Sequence, residues 1–156
     1  MKAVVHILGT RPNFIKAAPL IKRIQKERLR NIVIHTGQHF DYNMSQQFLD
    51  ELGISKIDYN LGISGGSHTE QIAKIMIACQ KILKQINPDL VFVYGDVNSS
   101  LAAALVSKKL DLKLAHIESG LRSFDRGMPE EVNRIIIDSI SDLHFVTCKD
   151  ALVNLE

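Results

Sequence analysis

Four short polar clusters carry side chains that could do chemistry: Gly9-Thr10-Arg11-Pro12, Gly37-Gln38-His39, Gly95-Asp96-Val97-Asn98-Ser99 and Glu118-Ser119-Gly120-Leu121-Arg122. Each follows directly on an apolar run. Arg11 offers a planar fork of donors suited to phosphate or carboxylate, and Lys16 can bring a second cation to the same region. Asp96 and Glu118 are carboxylates at the exits of apolar runs, where a charged group calls for a partner. Pro129-Glu130-Glu131 opens a helix with acids favoured by its dipole, and Arg134 follows one turn later. Of the six histidines, His39 lies just beyond a run; His6, His35, His116 and His144 fall inside runs and read as hydrogen-bonded core residues, and His68 as a helix-start residue. Plainer roles compete: Lys16 as a solvated charge, Asn98, Ser99 and Ser100 as helix caps, a Glu118–Arg122 ion pair that fixes its loop, and an i,i+4 pair between Glu130 and Arg134. GxGxxG and GxxxxGK[ST] are both absent, which weighs against dinucleotide and ATP chemistry. No metal-ligand spacing emerges.

The elements that must position these groups follow from periodicity. Apolar, β-branched runs at Ala3–Leu8, Asn31–His35, Leu90–Tyr94, Leu112–Ile117 and Leu143–Thr147 read as buried strands, with Ile57–Leu61 as a further short one. Helical spacing marks Phe14–Glu27, Met44–Leu52, His68–Ile86, Ser99–Leu110 and Glu130–Ile140. Near-continuous apolar strands alternating with helices imply an α/β fold, a doubly wound, mainly parallel, Rossmann-like sheet covered on both faces. In such sheets ligands bind beyond the carboxyl ends of the strands, so one crevice would gather all the clusters.

Composition bounds the partners. The 156 residues fit one domain, and 19 basic against 17 acidic residues leave a charge of +2, too small and dispersed to suggest nucleic acid or a membrane surface. Cys79 and Cys148 are far apart without metal or disulfide spacing, and no run approaches membrane-spanning length; a soluble, cytoplasmic protein is expected. Asp150–Glu156 read as the start of a helix that stops, so residues 1–156 are expected to be one lobe lacking a second.

Taken in order, the segments GTRPNFIKAAPL (Gly9 to Leu20), TGQH (Thr36 to His39), YGDVNSSLA (Tyr94 to Ala102), HIESGLRSFD (His116 to Asp125) and MPEEVNR (Met128 to Arg134) resemble the non-hydrolysing UDP-N-acetylglucosamine 2-epimerases over essentially the whole chain. The resemblance implies the N-terminal half of a two-domain enzyme shaped like the B-type glycosyltransferases, usually a homodimer, with a UDP-sugar substrate and no cofactor or metal. It implies a place in cell-surface polysaccharide synthesis. It implies Asp96, Glu118 and Glu130 as acid/base residues, and Arg11, Lys16, Gln38, His39 and Arg134 as substrate-binding residues. The family's reaction eliminates UDP to leave a 2-acetamidoglucal and adds it back on the other face. Neighbouring carboxylates suit this, because one can keep a proton while another accepts one. Pro12 favours the non-hydrolysing branch, whereas Asp41, where allosterically regulated members carry glutamine, speaks against that regulation. An epimerase of a UDP-2,3-diacetamido-hexuronic acid, and a non-catalytic UDP-sugar-binding or assembly half-domain, remain alternative readings.

Overall fold

Alternation along the strands decides the architecture, because each strand feeds a core on both sides. The computed structural model describes residues 1–37 and 46–156. Among them the order is β1 (Ala3–Leu8), α1 (Arg11–Ile24), β2 (Arg30–His35), α2 (Gln46–Leu52), β3 (Tyr59–Asn60), α3 (His68–Ile86), β4 (Leu90–Tyr94), α4 (Asn98–Lys109), β5 (Leu114–Ile117), α5 (Pro129–Ile140), β6 (Leu143–Phe145) and α6 (Lys149–Val153). The strands form one sheet in the order β3-β2-β1-β4-β5-β6, with all neighbours parallel.

Val5 and Ile7 of β1 and Val91 and Val93 of β4 point to one face, where Ile75, Cys79 and Leu83 of α3, Ala102 to Ala104 of α4 and Ile137 of α5 cover them. Val4, Leu8, Phe92 and Tyr94 point to the other, against Phe14, Ala17, Ala18 and Ile21 of α1 and Phe48 and Leu49 of α2. The run of alanines in α4 lets that helix lie buried between its neighbours and the sheet. Burial of each large aliphatic side chain contributes about 2 kcal/mol against chain entropy.

The doubly wound expectation holds. β5 begins later than the apolar run because Leu112 still closes the preceding turn, its N–H donating to Ser107 O at 2.9 Å. β6 is shorter than expected and its residues are exposed, so His144 is a surface rather than a core histidine. The strand order reverses between β1 and β4, and the loops after these two strands and β5 open on the same side. Among the described residues, no helix is long and apolar enough to cross a membrane.

Candidate active site

The loop after β1 is built by Asn13, whose buried side-chain oxygen accepts from Gly9 N–H and Thr10 N–H at 3.1 Å each, while its amide donates to Tyr94 O at 3.2 Å. That ties the start of α1 to the end of β4 and aims Lys16, on the next turn, across the crevice. Its ammonium pairs with Glu118. Gly95 forms the floor between them: its φ is +62°, and a Cβ there would lie 3.3 Å from Glu118 Oε2 and 3.7 Å from Lys16 Nζ. Lys16, Gly95, Asp96, Glu118, Leu121 and Arg134 line one cleft of about 130 Å³.

Arg134 on α5 closes the opposite wall. It pairs with Asp96 and, at 2.8 Å, with the almost wholly buried Glu131. Burial works against the Arg134 charge, but its two carboxylate partners outweigh that and raise its pKa above the ordinary value. Each cleft carboxylate therefore faces a cation rather than the other carboxylate. A second cavity, of about 30 Å³ between α1 and Ser55 to Asp58, is only large enough for water.

The cleft brings together Lys16, Asp96, Glu118 and Arg134, but neither Arg11 nor Glu130 lines it. Arg11 sits on the first turn of α1 with its guanidinium 4.6 Å from the centre of the Phe48 ring, a cation–π contact that draws it toward α2. Glu130 is half-buried on the first turn of α5, one turn from Arg134 on the same side of the helix. The plainer local pairings do not form: Arg122 binds Asp138 at 2.6 Å instead of Glu118, and Arg134 binds the distant Asp96 and, at i,i+3, Glu131 instead of Glu130. Asn98, Ser99 and Ser100 are cross-links rather than caps. Asn98 donates to Gln71 Oε1 at 3.1 Å, the Ser99 and Thr36 hydroxyls meet at 2.7 Å, and Ser100 donates to Tyr94 O at 2.6 Å. Gln38, His39 and Asp41 lie outside the described residues.

Two carboxylates that the sequence reading passed over hold the site from beneath. Glu131 accepts from Ser123 N–H at 2.9 Å and Phe124 N–H at 3.1 Å, fixing the loop that follows Arg122. Asp138, also buried, binds His116, Gly120 and Arg122. Glu131, Arg134 and Asp138 recur at i, i+3 and i+7, a polar stripe on the inward face of α5, and that spacing was the available signal. Among the described residues, no group of three or more histidines, cysteines and acids could hold a metal ion.

The chain has counterparts among known proteins. The family profile described as UDP-N-acetylglucosamine 2-epimerase matches residues 22–156. The chain belongs to this family. It is 49% identical over 153 residues to a UDP-N-acetylglucosamine 2-epimerase homolog of Methanococcus maripaludis, covering 98% of this chain and 43% of that protein. It is 46% identical over 154 residues to the UDP-2,3-diacetamido-2,3-dideoxy-D-glucuronate 2-epimerase of Pseudomonas aeruginosa, covering 98% of this chain and 44% of that one. The crystal structure of Methanocaldococcus jannaschii UDP-GlcNAc 2-epimerase in complex with UDP-GlcNAc and UDP superposes with a TM-score of 0.94 at 46% identity, over 98% of this chain and 42% of that chain. The chain thus spans less than half the length of these epimerases. At 14% identity and a TM-score of 0.65, Acinetobacter baumannii MurG shares the fold alone.

Proposed function

We propose that this chain is the N-terminal catalytic lobe of a UDP-N-acetylglucosamine 2-epimerase that interconverts UDP-N-acetylglucosamine and UDP-N-acetylmannosamine, and that turnover needs a second lobe closing over the cleft. The observation that carries this reading is the convergence of Lys16, Asp96, Glu118 and Arg134, from four separate segments, on one cleft. The C2 hydrogen of an acetamido sugar is not acidified by a neighbouring carbonyl, so direct deprotonation is prohibitive. Elimination avoids that barrier. A carboxylate takes the C2 proton, the C1–O bond breaks with its electron pair leaving on UDP, and a C1–C2 double bond forms. UDP then re-adds at C1 as a proton is delivered to C2 from the opposite face.

Asp96 and Glu118, which line the cleft, are proton carriers in this scheme, and Glu130, on the first turn of α5, is the third acid that the family resemblance assigns. Lys16 and Arg134 neutralise the departing pyrophosphate and hold the sugar, and Arg11, Gln38 and His39 are the further substrate-binding residues that the family resemblance assigns. The scheme asks for no cofactor or metal. A homodimer in a reducing cytoplasm, supplying an amino sugar for cell-surface polysaccharide, is the setting that fits two free cysteines and a nucleotide-sugar substrate.

The test is incubation of the two-lobed protein with UDP-N-acetylglucosamine in deuterium oxide. The manno epimer should accumulate with deuterium at C2, while the lobe alone converts nearly none. Free N-acetylmannosamine, or no epimer, rejects the assignment. The 46% identity to the diacetamido-glucuronate epimerase supports a second reading with that substrate, and a panel of UDP-sugars ranks the two by kcat/KM. Tight UDP-sugar binding with no conversion, even with a second lobe supplied, would instead indicate a binding or assembly half-domain.

A further inference from the structure

Both ring nitrogens of the buried His116 face acceptors. Nδ1 lies 2.6 Å from Asp138 Oδ1, and Nε2 lies 2.9 Å from Gly95 O. A carbonyl can only accept. Asp138 stays ionised because, although burial opposes its charge, hydrogen bonds from His116 and Arg122 outweigh it and hold its pKa below the usual carboxylate value. The ring therefore donates from both nitrogens. The other Asp138 oxygen accepts from Gly120 N–H at 3.1 Å and from Arg122 at 2.6 Å.

These bonds surround the two cleft carboxylates. Gly95 O belongs to the peptide that carries the Asp96 amide, so His116 fixes the backbone from which Asp96 springs. Glu118 lies between His116 and Gly120, and its φ of +73° is a left-handed conformation that a glutamate adopts only when its flanks are held. On the outer side, Phe145 O accepts from Glu118 N–H at 2.9 Å and Ser119 N–H at 3.1 Å. On the inner side, the flanks are held by Asp138. We propose that Asp138, acting through His116, Gly120 and Arg122, is a positioning residue that sets Asp96 and Glu118 in register for proton transfer. This rests on the epimerase reading, in which both carboxylates face the sugar.

The test is Asp138→Asn in the two-lobed enzyme. One oxygen is replaced by an amide that cannot accept, so the clamp opens on one side. Misplacing the carboxylates relative to C2 should lower kcat by about 10- to 100-fold, while KM and the Kd for UDP stay within about threefold, because neither requires the two carboxylates in register. A kcat within about twofold of the parent's, or a parallel loss of kcat, UDP affinity and melting temperature, overturns the proposal. Should Asp138→Asn not fold, Arg122→Gln removes one donor from the clamp at a loop position. It is expected to lower kcat alone, and a folded Arg122→Gln with full kcat overturns the proposal equally.

A readout without turnover separates this from failure of the epimerase assignment. Nitrogen-15 NMR of the intact protein should show protons on both His116 ring nitrogens. Amide exchange at Glu118 and Ser119 should accelerate in Asp138→Asn. A singly protonated ring, or unchanged exchange, removes the clamp even in an active enzyme. Both signatures in a protein that epimerises nothing would keep the clamp and reject the assigned reaction.

Discussion

The Lys16 ammonium meets the Glu118 carboxylate across the cleft, joining α1 to the loop after β5 over 102 residues of sequence. Both side chains keep about a third or a quarter of their surface in solvent, where such a pair contributes only about 0–1 kcal/mol to folding. In the proposed reaction its value would lie in chemistry: a charge held beside the developing phosphate anion stabilises the transition state more than the fold. Lys16→Gln should therefore lower kcat/KM by about 10-fold or more and shift the urea midpoint little. A variant that melts early yet turns over normally would reverse this assignment.

Glu131 presents the opposite case. Its carboxylate is almost wholly buried and accepts two backbone N–H groups as well as Arg134. Burial disfavours its charge, but these bonds outweigh that and hold its pKa below normal. Glu131→Gln turns an acceptor into a donor that faces donors. It should cost about 2–3 kcal/mol by urea unfolding and raise amide exchange at Ser123 and Phe124. A loss under about 1 kcal/mol would mean the loop finds other partners.

How far the sequence discloses this arrangement depends on the range of the interaction. β1, α3 and β4 have the bounds expected from apolar periodicity, because burial on one or both faces is written into neighbouring residues. The strand-end rule likewise pointed to the cleft through Asp96 and Glu118. Neither plainer local pairing forms: Arg122 binds Asp138 rather than Glu118, and Arg134 binds Asp96 from another segment, along with its i,i+3 neighbour Glu131, rather than Glu130. Arg11 is expected in the cleft from its strand-end position and its motif, but Phe48, 37 residues away, draws its guanidinium toward α2. Long-range partners of a charge leave no periodic trace. Only the inward polar stripe of α5 announced that some existed.

Acid stability should be governed first by histidine. His6 is fully buried, stacked on Phe92 with ring centres 5.0 Å apart, and the Tyr94 hydroxyl meets its Nδ1 at 2.6 Å. Burial lowers its pKa from 6.5 to about 4, weakly opposed by Asn31, whose geometry falls short of a hydrogen bond. The unfolded chain thus takes up this proton first. The His6 contribution is complete above pH 6.5 and declines as pH falls toward 4, by on the order of 3 kcal/mol. His35 shifts in the same direction through burial. The lowered carboxylates Asp138 and Asp142 act only below about pH 4. His6→Gln, which keeps an acceptor for Tyr94, should flatten the urea midpoint between pH 6.5 and 4 by roughly half. An unaltered slope would show that His6 is not the group titrating.

Two glycines separate the demands of the site from those of the fold. Both have positive φ, +62° at Gly95 and +78° at Gly120, which costs an alanine about 1–2 kcal/mol. At Gly95 the added methyl meets only the ends of flexible chains, Glu118 and Lys16, and these can move aside into the cleft. At Gly120 it would lie 2.0 Å from Ala151 O, a backbone atom of α6 that cannot move without undocking that helix. Gly95→Ala should fold, lose about 1–2 kcal/mol, and turn over at least about 10-fold more slowly because its methyl displaces Glu118. Gly120→Ala should lose well over about 2 kcal/mol or fail to accumulate. Thermal melts and kcat measured on the two variants side by side check this contrast. An active Gly95→Ala enzyme would mean that the position of Glu118 above Gly95 is not the one the reaction uses.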